Sequence, residues 1–398
     1  MTEANREAIG RVLASEPWLV GVRPAAEVVP GMTPNLVLHA APPAALDELS
    51  PVLRGGIEGA AAFEGIEASA LELGAAQDHS AIAGGAGSIT ASTPVVVLED
   101  RANGNRAYHF LMEGFGKVLI LGMYDDEVRD RLLWIRDDLA PALDAAISAL
   151  GGIDCRALMA EALRRGDELH NRNAAATSML AELLAPVLDA PPDLKRRIFD
   201  FIRGNSQFFV AVSLAASRLA LDAGHGIEGS SLVTAVGANG RDCGIKVSGL
   251  GDEWFVAPAE VPEGVFLDGF GADDAGPSCG DSLLVECAGL GATLLAAAPA
   301  FWPVVGADEA RARQIFEDTV AISLGEHEHY RVPALGNRGA PTGIDLLRVL
   351  QTGFRPTIDI VMVHREPGRG MIGFGLTSPP TACFEQAGAA FAERYGTT

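Results

Sequence analysis

Gly166-Asp-Glu-Leu-His-Asn-Arg-Asn-Ala-Ala-Ala-Thr-Ser178 is the stretch around which the chain is organised. Asp167, Glu168, His170, Asn171, Arg172 and Asn173 crowd into seven positions, and the apolar run Met179–Leu188 follows. Asp167 reads as an N-cap, which would put the motif on the first two turns of a helix. Asp167, His170, Asn171, Ala174 and Ser178 would then share one face, with Glu168 and Arg172 as an i,i+4 pair. A solvated helix start with one salt bridge is the plainer account of any one of these residues. Their density beside an apolar helix favours a site, because polar groups drawn inside must be satisfied.

Outward from this stretch, the sequence is helical over 125–225. Asp125–Leu150 is a long amphipathic segment stopped by Gly151-Gly152, followed by helices at 155–165, 192–203 and 207–223. N-terminal to it, residues 1–124 alternate short apolar strands with helices, as in Leu36–Ala40, Pro51–Ala62 and Ile66–Leu73. That rhythm predicts a small Rossmann-like part, although no GxGxxG follows a strand. A more β-like run follows at 94–98, 106–112 and 118–124, with Asn103-Gly104 as a hairpin turn. Residues 226–398 are mixed, with strands at 243–248, 254–256 and 357–363, helices at 305–324 and 379–395, and glycine-rich loops. The expected fold class is therefore α/β (multi-domain α+β), with boundaries at 1–124, 125–225 and 226–398.

Composition narrows the function. The 398 residues carry a formal charge of −22, which excludes a basic nucleic-acid footprint and disfavours an anionic membrane surface. The five cysteines are scattered and form no CxxC, as expected of reduced thiols in the cytoplasm. The N-terminus has no signal-peptide pattern, and the uncharged run 287–307 is broken by glycines and prolines, so no membrane span is expected.

Three chemistries fit the residue types. A metal site could draw on His327-Glu-His329, whose imidazoles would share one strand face, with His170 and Asp167 added. No standard zinc spacing supports it, and no metal or cofactor is assigned. A hydrolase could use Cys279 or a serine, but there is no GxSxG elbow. Group transfer on a small acid uses the most features. Arg172 and Arg338 would hold a carboxylate or phosphate, and His170, Asp167 or Glu168 would move protons. The glycine-rich stretch Asp78–Ser88 would stabilise an oxyanion.

The motifs together resemble the YlbE/AllG family. They are Gly166–Asn173; Lys246-Val-Ser-Gly-Leu-Gly-Asp252 with Trp254–Pro258; Gly280-Asp-Ser282 with Gly289-Leu-Gly291; and Arg338-Gly-Ala-Pro-Thr-Gly-Ile-Asp345. The resemblance implies a multi-domain α/β protein. One branch is associated with oxamate carbamoyltransferase of anaerobic allantoin breakdown, which converts oxalurate and phosphate into oxamate and carbamoyl phosphate with an FdrA-like partner subunit and a third protein. Ala83-Gly-Gly-Ala-Gly-Ser88, Ser278-Cys279 and Glu326–His329 depart from the family pattern, so the acceptor need not be oxamate.

The expectation is a cytoplasmic, homo-oligomeric carbamoyl-transfer enzyme or subunit acting on a small anionic ureido or amide-bearing acid, with phosphate or carbamoyl phosphate as co-substrate. His170 would be the acid/base, with Asp167 and Glu168 beside it. Asn171 and Asn173 would hold the carbamoyl group, Arg172 and Arg338 the acid group, and Asp281, Ser282, Thr342 and Asp345 would complete the pocket. A hydrolase using the same pocket and a noncatalytic subunit are the alternatives.

Overall fold

A computed structural model describes residues 1–396. The helix Val210–Ala223 is its spine. Apolar residues surround its whole circumference, and even Ser213, Ser217 and Arg218 are buried. A helix without a polar face must be covered on every side. Here the five-stranded sheet covers one side and the 3-10 segment Asp281–Ala288 the other.

The five-stranded sheet runs in the order Ala81–Ile82, Arg106–Phe110, Pro94–Asp100, Pro17–Pro24, Ile153–Asp154. Its pairings are antiparallel except at Ala81–Ile82. The predicted βαβ rhythm is realised beside it, in one unit. Leu36–His39 and Glu72–Ala75 pair in parallel, joined by the helix Pro51–Glu64 whose N-cap Ser50 accepts from Leu53 N–H at 3.3 Å. A four-stranded antiparallel sheet is centred on Val233–Asn239 and Asp242–Val247. A three-stranded one contains Glu263–Phe266, Met371–Thr377 and Ile358–Val363. The chain is thus a multi-domain α/β protein, as expected. No described helix is long and apolar enough to cross a membrane.

Local expectations fail at several places, three of them here. The 118–124 stretch forms the 3-10 turn Leu119–Leu121, not a strand, because the Glu113 carboxylate takes the Leu119 N–H at 2.8 Å. The predicted 125–150 helix contains a π segment, Ile135–Leu139, just before Pro141, which has no N–H to continue the ladder. The expected loop 337–345 is instead a strand, Arg338–Ile344, paired with Ser323–Val332 and buried over most of its length.

Candidate active site

The Gly166–Asn173 motif is a loop, and the following helix begins only at Ala174. Its polar side chains mainly build the loop. Glu168 is fully buried and clamps two backbone N–H groups, those of His170 at 2.7 Å and Arg172 at 2.5 Å. Asp167 caps the next helix from a distance, its Oδ2 accepting from Ala176 N–H at 2.9 Å. Asn173 donates to the His170 carbonyl at 2.7 Å. The Arg172 guanidinium turns back to the Gly166 carbonyl at 3.0 Å and stands 3.8 Å from Asp167, so the i,i+4 pair with Glu168 does not form through its side chain. Leu169 is buried at φ +71°, a strained conformation for a leucine. Such strain persists only where the surroundings over-determine it, and it is common at functional sites.

These constraints aim His170 at two carboxylates. Its Nδ1 lies 3.0 Å from Asp359 Oδ1 and 3.2 Å from Glu286 Oε1. Asp359 comes from the strand Ile358–Val363 and Glu286 from the segment Asp281–Ala288, so three distant parts of the chain meet here. Gly291 covers the cluster at φ +63°. A Cβ on it would fall 2.3 Å from Glu286 Oε1 and 3.2 Å from Asp359 Oδ1, so only glycine fits.

Burial opposes a charged His170, but the facing Asp359 and Glu286 outweigh it and hold its pKa well above the ordinary value. Burial likewise acts to raise Asp359, yet His170 brings it below the usual range. Burial pushes Glu286 up to about 8, and raises Glu168 strongly with help from the Asp359 charge.

Above the cluster is a cavity of about 70 Å³. It is lined by His170 and Asn171 of the loop, by Gln207, Val210 and Leu214, by Ile360, Val361 and Val363 of the three-stranded sheet, and by Gly84, Gly85, Phe115, Cys279 and Ser282. Gly85, at φ +56°, lets the chain pass close beneath Ile120, whose carbonyl oxygen would lie 2.7 Å from an added Cβ. Asn171 spends its amide N–H on the Asp359 carbonyl at 3.0 Å, and Gln207 spends its own on the Asn171 carbonyl. Each amide keeps its oxygen and a second N–H for another partner. With Nδ1 held by carboxylates, His170 presents Nε2. Neither Lys nor Arg lines the cavity.

The remaining sequence candidates divide between support and distance. Ser282 lines the cavity. Its neighbour Asp281 turns the other way, accepting from Ala41 N–H (2.8 Å), Gln77 Nε2 (2.7 Å) and Ala83 N–H (3.0 Å). Asp281 thereby ties the glycine loop to the core, and burial pushes its pKa up to about 7 against those donors. Arg338 pairs with Glu317 at 2.6 Å and lies over Phe316, away from the cavity. Thr342 donates to the Ala340 carbonyl at 2.9 Å. Asp345 caps the helix Leu346–Thr352 and accepts from Ser231 Oγ at 2.7 Å.

The two imidazoles of His327-Glu-His329 do stand edge to face, with centroids 5.7 Å apart, but among the described residues no third ligating side chain joins them. The strand bulges between His327 and Arg331, leaving His327 buried on Tyr330 and His329 outside. Burial pushes His327 down to about 3, and its Nδ1 accepts from the backbone N–H groups of His329 and Tyr330. Cys279 does line the cavity, but burial pushes its thiol up to about 12, so it is no thiolate nucleophile at neutral pH.

Glu113, at the base of the loop carrying Phe115, titrates where it can be observed. Burial lifts it to about 7, against smaller opposing effects of Arg131 and the Leu119 N–H. An acid with a higher pKa folded than unfolded loses stability as pH rises from about 4.5 to about 7. Relative to Glu113→Gln, the native chain is expected to lose about 2–3 kcal/mol between pH 5 and pH 8. Urea denaturation of both proteins across that range measures it, and parallel pH profiles would refute it.

The AllG family model, described as oxamate carbamoyltransferase subunit AllG, matches residues 71–282. The oxamate carbamoyltransferase subunit AllG of Escherichia coli K12 is 38% identical, in an alignment covering 100% of this chain and 99% of that protein. The uncharacterized protein YahG of the same organism is 37% identical over 99% of this chain and 86% of its own length. A crystal structure of a conserved protein of unknown function from Enterococcus faecalis V583 superposes with a TM-score of 0.96. It is 37% identical, covering 98% of this chain and 97% of that one. With a fold, a full-length likeness and a family match in agreement, this chain belongs to the AllG family.

Proposed function

We propose that this chain is a carbamoyltransferase subunit that binds a small ureido or amide-bearing acid in the cavity above His170. The observation carrying this reading is the His170 imidazole, fixed through Nδ1 by two buried carboxylates and left with Nε2 for the cavity. Carbamoyl transfer breaks or makes a bond between the carbamoyl carbon and an amide nitrogen. A donor at Nε2 can protonate that nitrogen as it leaves, and the same atom takes the proton back in the reverse direction. The free oxygens of Asn171 and Gln207 suit the N–H groups of a ureido group. Ser282 also lines the cavity and brings a further polar side chain to it.

In this reading the cavity uses no arginine. Arg172 stabilises the loop and Arg338 a surface pair, so neither meets the acid group. The relative named as an oxamate carbamoyltransferase subunit is one part of an assembly, and the site that handles phosphate is assigned to a partner subunit of FdrA-like type.

The test has two arms. The purified chain is titrated calorimetrically with oxamate and oxalurate, then combined with an FdrA-like subunit and assayed for carbamoyl phosphate formation from oxalurate and phosphate. Binding by the chain alone, weakened about tenfold by Asn171→Ala through loss of one or two hydrogen bonds, is the expected result. Phosphate-independent cleavage would move the assignment to a hydrolase. Absence of any binding by the chain would make it a noncatalytic subunit.

A further inference from the structure

We infer that His170, Glu286 and Asp359 form a site for one divalent transition-metal ion, bound through His170 Nδ1 and a carboxylate oxygen from each acid. The three donor atoms all lie within 4.8 Å of one another. His170 Nδ1 stands 3.0 Å and 3.2 Å from the two oxygens. Ligands bonded to one ion at about 2.1 Å sit about 3.0–3.4 Å apart, from octahedral to tetrahedral geometry. These distances also suit hydrogen bonds, so other observations have to choose.

Three of them favour an ion. One imidazole N–H donates well to a single acceptor, yet two carboxylate oxygens crowd the same nitrogen. Glu286 Oε2 and Asp359 Oδ2 are both buried and have no hydrogen-bond partner among the described residues, and native interiors rarely leave such atoms unsatisfied. Finally, Glu286 and Asp359 are completely buried, Glu168 is buried beside them, and no Lys or Arg among the described residues pairs with any of the three. A buried carboxylate must be either protonated or paired, and one ion would pair both acids at once.

The donor set points to the kind of ion. One imidazole and two carboxylates suit Zn²⁺ or Mn²⁺. They are too few oxygens for Ca²⁺ and offer no sulfur for a soft metal. Three protein ligands leave positions for water or substrate, as in catalytic centres. Glu168, which clamps the loop around His170, would hold the ligand in place. The inference deepens the reading above and rests on it in one respect: the ion would stand behind His170, whose imidazole alone of the three ligands lines the cavity, so its charge would reach a bound acid through that ring. With Nδ1 on the metal, Nε2–H remains a hydrogen-bond donor toward the cavity, while the acid/base role argued above belongs to the metal-free imidazole.

The experiment strips the full chain with chelator, restores Zn²⁺ or Mn²⁺, and measures bound metal by mass spectrometry and affinity by calorimetry. One ion per chain is expected. Glu286→Gln and Asp359→Asn keep side-chain volume and should weaken binding about 100-fold, whereas His329→Ala, outside the cluster, should not change it. Co²⁺ substitution in the native chain gives a second readout that needs no variant, since its visible spectrum should show mixed nitrogen and oxygen ligation. Less than stoichiometric metal in the native chain, or equal affinity in the variants, overturns the site. Binding of the acid by a chain that takes up no metal would overturn this inference and leave the proposed function standing. Metal uptake without acid binding would do the opposite.

Discussion

Replacing His170 by alanine should lower carbamoyl transfer by the assembled enzyme about 10³-fold while the chain still folds. Positioned proton transfer contributes about 10²–10⁴-fold in enzymes, and His170 is the titratable side chain of the cluster that also lines the cavity. The loop around it should survive, because its shape is set by other groups. Glu168 holds the His170 and Arg172 N–H groups, Asp167 caps the next helix, and Asn173 grips the His170 carbonyl, which alanine retains. The loss should fall mainly on kcat in the complete assembly, with circular dichroism and the urea midpoint reporting the fold. Unchanged turnover in His170→Ala would remove His170 from the reaction and with it the proposed role of the cavity.

Asp281→Ala should have the largest effect on stability, about 3–5 kcal/mol. Its carboxyl group accepts from Ala41 N–H, Ala83 N–H and Gln77 Nε2, all buried. Alanine leaves the Ala41 and Ala83 N–H groups without a partner and Gln77 Nε2 with the Val236 carbonyl alone, and each buried donor so stranded costs about 1–3 kcal/mol. The charge of Asp281 is itself disfavoured by burial, which is why its pKa stands at about 7 and why the sum is not larger. The glycine loop should loosen first, since Asp281 N–H also bonds the Ala83 carbonyl at 2.9 Å. Chemical denaturation gives the stability, and hydrogen exchange at Ala83 gives the local effect. A loss below about 1 kcal/mol would mean that water satisfies these donors.

The site was half legible before the fold was known. The density of polar residues at 167–173 pointed to this segment as a helix start, but it is a loop that most of those residues build, and only His170 and Asn171 reach the cavity. An N-cap reading of Asp167 was natural because Asp does cap a helix here. It does so from nine residues before the N–H it binds, a spacing that local rules do not contain. Glu286 and Asp359 escaped notice although a signal existed. Each is a single charge inside an apolar run, Leu283-Leu-Val-Glu-Cys-Ala288 and Ile358-Asp-Ile-Val-Met-Val363. A lone carboxylate in a segment that must be buried requires a partner elsewhere.

By itself the sequence determined the class of the fold, most of its helices, the glycine turns and the family, because these follow from periodicity, capping and local motif. It also singled out the polar run at 166–173, although it placed that run on a helix where the structure has a loop. Only the tertiary structure decided which groups meet. His170, Glu286 and Asp359 are separated by 116 and 189 residues in their contacts, and they come together because a loop, a 3-10 segment and a strand pack on one core. It likewise sent Arg338 to Glu317 and Asp281 to the glycine loop, since a side chain's partner is set by the element it stands on and the face that element buries. Spacing along the chain carries no information about such encounters, whereas burial without a neighbouring counter-charge predicts that an encounter must occur.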